Sequence, residues 1–186
     1  LDEDITLLDF YNYTNVEFHI LATKLNTLEP IDFSHLTYPD VSLIDAIYMS
    51  STIPCLMQPL YYKDSYILDA ALSYNYPIKL CKDENPDETD NILGIKIVRD
   101  NIVDISDNTG LLTYINGIIE RMRDKINKTN ETDAKTQINI ISNGWLSTNE
   151  FSINKCLLNK ETRCKLLELG EKSINDYLEN SLEKLQ

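Results

Sequence analysis

Leu7, Leu8, Phe10 and Tyr11 fall on one helical face behind Thr6, whose hydroxyl suits a helix start, and predict a short helix through about Tyr13. Val16 to Ala22 (VEFHILA) is rich in β-branched and aromatic residues and predicts a strand, with Ile31-Asp32-Phe33 as a short second one. Pro39-Asp40 marks a turn. Ser42-Leu43-Ile44-Asp45 then has the form of a capping box, opening a helix to about Ser51 that Pro54 stops. Leu60-Tyr61-Tyr62 and Tyr66-Ile67-Leu68 flank Lys63-Asp64-Ser65 and read as a hairpin whose second strand runs into Asp69. Residues 82–91 (KDENPDETDN) are polar and acidic, the pattern of an exposed loop insertion. Ile92 to Val98 is a nearly continuous apolar run and predicts a buried strand. A helix follows from near Leu111, then a polar stretch from Asn127 to Lys135, a second buried-type strand at Gln137 to Ile141, and a turn at Asn143-Gly144. From Glu161 to about Leu185, Leu166, Leu167, Leu169, Ile174, Tyr177, Leu178 and Leu182 fall near a 3.6 period and predict a long final helix. Strands alternating with helices imply a single α/β layered domain over residues 1–186 with a partly parallel sheet.

Composition narrows the functional classes. The chain has 186 residues, 42% hydrophobic and 25% charged, which is the balance of an ordinary globular domain with a sizeable core. Its formal net charge of −13 argues against nucleic acid as a partner, because phosphate binding needs a basic face. The same charge argues against electrostatic attraction to an anionic bilayer, so any contact with lipid has to be made through apolar surface. No apolar run approaches the roughly 20 residues that cross a bilayer. Leu1 to Phe10 carries acids where a signal peptide needs basic residues. The sequence opens at Leu1 rather than Met and runs straight into helix-like sequence, the form of a fragment. Cys55, Cys81, Cys156 and Cys164 form no CxxC, and with only two histidines neither a metal site nor a disulfide framework is indicated. Free thiols fit a reducing, cytoplasmic compartment.

The chemistry-bearing stretch runs from Ser50 to Ile78. It holds Asp69 at the end of an apolar strand, followed by the small residues Ala70 and Ala71. An acid at a strand's C-terminal end is where α/β folds place groups that face a ligand, and small neighbours let a substrate approach the backbone. The alternative is that Asp69 only caps the next turn, as aspartate often does.

The order of motifs here resembles the second half of the patatin-like phospholipase domain. That family has S-x-x-x-P before a hairpin, then D-G-[GA], then N-N-x-P. The counterparts are Ser50 or Ser51 with Pro54, then Asp69-Ala70-Ala71, then Asn75-Tyr76-Pro77. Upstream, the helix and the strands ending at Ala22-Thr23 and at Asp32-Phe33-Ser34 are similar in style. Downstream, Ile140 to Phe151 and the long helix with Gly170 resemble the family's closing segment. The resemblance implies a three-layer α/β/α sandwich, here incomplete, and a Ser-Asp dyad that hydrolyses acyl esters of phospholipids or related lipids. Asp69 would be the catalytic base. No cofactor is implied, and the expected partners are a lipid substrate met at a membrane surface, a missing N-terminal segment and an activating protein of unknown kind. Serine is a weak nucleophile until a base takes its proton, and backbone N–H groups must hold the oxyanion that forms.

The nucleophile itself is absent from these residues. Gly94, Gly110, Gly117, Gly144 and Gly170 are too far apart for G-x-S-x-G or a Gly-rich oxyanion loop, so the chain by itself is expected to be inactive. Either that half lies on polypeptide outside these residues, or the chain is a catalytically inactive scaffold acting as an effector or interaction protein. A nucleotide-binding domain ranks below both, because no P-loop or G-x-G-x-x-G is present. Ala70 and Tyr76 depart from the family pattern; if residue 70 needs positive φ, alanine there is strained by about 1 kcal/mol or more. His19 and His35 read as packing residues, and Trp145 as either interfacial or buried. Ile53, Leu56, Met57, Leu60, Tyr61 and Tyr62 read as core or as an apolar mouth for acyl chains.

Overall fold

The computed structural model describes residues 4–54, 57–99, 105–130, 132–142 and 158–183. It is a mixed α/β structure that divides into two compact units, Leu1–Tyr76 with Ile126–Asn130, and Pro77–Lys125 with Glu131–Gln186.

The first unit opens with helix α1 (Leu7–Thr14). Thr6 caps it by accepting from the Asp9 N–H while the Asp9 carboxylate returns to the Thr6 backbone, a reciprocal box that satisfies two otherwise orphaned donors. Asn15 ends the helix in the left-handed region at φ 54°. Strands β1 (Ile20–Lys24) and β2 (Pro30–Phe33) follow, then helix α2 (Leu43–Ser50) and the hairpin strands β3 (Leu60–Tyr62) and β4 (Ser65–Asp69). The four strands form one sheet in the order β2-β1-β4-β3, antiparallel throughout. Ser42 caps α2, and a bridge between Thr6 and Ser42 ties the starts of the two helices together. The core consists of Leu7, Ile20, Ala22, Ile31, Phe33, Ala46, Met49 and Ile67.

In the second unit, helix α3 (Ile78–Glu84) and a 3-10 segment (Pro86–Asn91) lead to β5 (Leu93–Arg99). Helix α4 (Leu111–Asn130), strand β6 (Thr136–Ser142) and helix α5 (Lys160–Glu183) complete it. Strands β5 and β6 pair in parallel.

The short helices, the hairpin and the long final helix lie where periodicity predicts them. Three expectations need correction. The strand predicted at Val16–Ala22 begins only at Ile20, because ladder partners start with Ile20 opposite Phe33, and Val16, Glu17 and Phe18 are exposed. The stretch 82–91 is exposed over most of its length, as expected, but in place of a plain loop it holds the end of α3 and a 3-10 segment that leaves helical geometry at Glu88. Pro86 at the first position and Asp87 and Glu88 in the first turn all favour a helical start. Finally, β5 is a strand but not a buried one, since Leu93, Ile95 and Ile97 are 55%, 57% and 49% exposed. The turn at Asn143-Gly144 and Trp145 lie outside the described residues. Among the described residues no helix is long and apolar enough to cross a membrane.

Candidate active site

Asp69 is the last residue of β4, half-buried, in the position the sequence predicts. Its backbone is held on both sides. The Asp69 N–H donates to the Thr52 carbonyl at 2.9 Å, and the Asp69 carbonyl accepts from the Thr23 hydroxyl at 3.1 Å. Its side chain is held as well, because Oδ1 accepts the Ala71 N–H at 2.7 Å and so caps the 3-10 turn Ala70–Leu72. Oδ2 has no protein partner among the described residues. The turn-capping and the ligand-facing readings of Asp69 are thus compatible: one oxygen caps the turn and the other is left over.

Three polar residues around Asp69 were not singled out by the sequence. Thr23 and Thr52 are fully buried and Ser73 is 5% exposed. Thr52 belongs to the Ser-Ser-Thr-Ile-Pro run, and its carbonyl is what that run contributes to Asp69. Its own hydroxyl donates to the Tyr48 carbonyl at 2.7 Å, satisfying a buried polar group within its local helix end. Thr23 lies on the neighbouring strand β1, opposite Leu68. The signal for it in the sequence is a hydroxyl that follows the apolar run Ile20-Leu21-Ala22 in a strand ending at Lys24.

The concern over Ala70 is removed. Among the described residues positive φ at non-glycine positions occurs at Asn15, Leu28, Lys63 and Asp64, so Ala70 sits in a conformation any residue adopts. In the N-x-P segment, Asn75 is exposed and Pro77 stands at the start of α3. The predicted apolar mouth is divided. Along β3 successive side chains alternate, so Tyr62 packs against the core while Tyr61 on the opposite face is 63% exposed and meets Tyr66 edge-on at 5.1 Å. Leu56 lies outside the described residues.

The histidines behave as packing residues in part. His35 stacks on Tyr11 with centroids 3.8 Å apart. His19 Nδ1, in the residue just before β1, lies 2.7 Å from Asp32 Oδ2 on β2, a pairing that the sequence does not announce. Cys81 and Cys164 are free thiols, and Cys55 and Cys156 lie outside the described residues.

No curated protein matches the chain. The likeness read downstream, from Ile140 through Gly170, lies beyond the residues that a family model matches. That match covers residues 2–82, the stretch that holds Thr23, Thr52, Asp69 and Ser73, and the family is described as patatin-like phospholipase.

Proposed function

We propose that this chain takes part in acyl ester hydrolysis on phospholipids or related lipids, with Asp69 as the general base of a Ser-Asp dyad. The serine and the oxyanion donors would come from polypeptide outside these 186 residues, which hold no G-x-S-x-G. On this reading the chain is the C-terminal portion of a three-layer patatin-type sandwich and is inactive alone. Two things support the reading: the family match over residues 2–82, and a carboxylate fixed at a strand end with one oxygen unengaged. The second carries it. A base must be oriented before the nucleophile arrives, and Asp69 is anchored through its N–H, its carbonyl and Oδ1 while Oδ2 keeps its lone pairs for a hydroxyl. After taking the serine proton, the same group would return it to the leaving alcohol.

A second reading rests on the capping contact itself. An aspartate whose Oδ1 closes a 3-10 turn is doing what structural aspartates do, so a non-catalytic scaffold that binds a partner protein explains the same geometry. Fatty-acid release from phosphatidylcholine vesicles separates the two. The chain is assayed joined to its serine-bearing segment, as wild type and as Asp69→Asn. The dyad predicts a loss of roughly 10²–10⁴-fold in the variant. Equal turnover in both proteins, or a coding sequence with no elbow serine upstream, leaves the scaffold reading standing.

A further inference from the structure

We infer that Thr23 and Ser73 are positioning residues for Asp69, acting as a directed pair of buried hydroxyls in which Ser73 donates to Thr23 and Thr23 donates to the Asp69 carbonyl. The inference rests on the reading of Asp69 as the base and names what holds that base in place.

The direction follows from proton counting. A hydroxyl has one proton to donate and two lone pairs with which to accept. The Thr23 proton goes to the Asp69 carbonyl at 3.1 Å, an oxygen that can only accept. The 2.7 Å contact between Thr23 Oγ1 and Ser73 Oγ must therefore be donated by Ser73. Each bond polarises the next, which strengthens the link to the carbonyl in this buried position.

The placement explains why polar residues stand there at all. Thr23 is 0% exposed in a strand between β2 and β4, where valine would fill the same volume without a hydroxyl to satisfy. Both ends of the Asp69–Ser73 segment converge on its Oγ1: the Asp69 carbonyl at the start and the Ser73 hydroxyl at the end. Between them lies the 3-10 turn whose Ala71 N–H holds Oδ1. The Ser73 N–H closes on the Ala70 carbonyl at 3.0 Å, so the turn cannot rotate without breaking the hydroxyl pair. Fixing the turn fixes the Ala71 N–H, and the Ala71 N–H fixes the carboxylate. Loss of the Thr23 hydroxyl frees the turn while leaving every group of Asp69 intact.

Two measurements test this, one of them independent of turnover. By hydrogen exchange on the chain as it stands, Thr23→Val should speed exchange at the Ala71 amide by roughly tenfold or more, with Thr23→Ser close to wild type. In the chain joined to its serine-bearing segment, Thr23→Val should lower kcat by about 10–100-fold at unchanged KM. Thr23→Ser should restore most of that loss, and Ser73→Ala should fall between. Unchanged Ala71 exchange and unchanged kcat in Thr23→Val would overturn the inference. So would a Thr23→Ser variant as impaired as Thr23→Val, or a kcat loss no larger than the loss of folded protein. If Asp69→Asn keeps full turnover, the assignment of the base fails instead, and Ala71 exchange still reports on the hydroxyl pair.

Discussion

The two units bury their apolar residues differently. In the first, an antiparallel sheet and two short helices enclose Phe33 and Ile67 completely and Leu7 and Met49 almost so. In the second, a parallel pair of strands leaves Leu93, Ile95 and Ile97 about half exposed, and the long helix α5 exposes Leu167, Ile174 and Leu178. Parallel strands are normally covered on both faces, whereas an antiparallel sheet closes a core against a single layer. The family match, over residues 2–82, falls almost wholly on the unit that closes its own core. A base can be held to within tenths of an ångström only where its supports are themselves packed, and Thr23 and Thr52 are.

The contrast can be broken by substitution. Phe33→Ala should cost about 3–5 kcal/mol in urea unfolding followed by circular dichroism, because a fully buried ring leaves a cavity. Ile95→Ser, on the exposed face of β5, should stay within about 0.5 kcal/mol. Comparable losses at the two positions would erase the distinction. At the edge of the first unit, Thr6→Ala removes the hydroxyl half of the capping box, leaving the backbone N–H to the Asp9 carboxylate, and should cost about 1 kcal/mol by the same measurement. The smallest effect belongs to Leu28, half-exposed at φ 57° in the turn between β1 and β2. Leu28→Asn should raise stability by roughly 0.5 kcal/mol, because asparagine tolerates the left-handed region better than leucine.

What the sequence made legible was what local chemistry writes into it. Thr6, and Ser42 with Asp45, mark helix starts, and the hairpin around Lys63-Asp64 is bracketed by runs that contain tyrosine. Asp69 was legible because a strand pattern runs into it. Its supports were not. Thr23 and Ser73 are 50 residues apart, and Thr23 and Asp69 are 46 apart. No periodicity links them; only the pairing of β1 with β4 does. The antiparallel order of the first sheet was hidden for the same reason, since alternating strands and helices suggest parallel pairing while register is set by tertiary packing. The exposure of β5 was misread because an apolar run reports composition rather than the number of layers that cover it.

The most direct test of the central claim is the rate at which a fluorophosphonate reacts with the serine that the proposal places on polypeptide outside these residues, with that segment joined to the chain. That reaction needs the hydroxyl to be deprotonated, but it needs neither lipid recognition nor release of product. With Asp69 as the base, Asp69→Asn should slow labelling by roughly 10²-fold or more while leaving the fold unchanged by circular dichroism. Labelling at the wild-type rate in that variant would contradict the account.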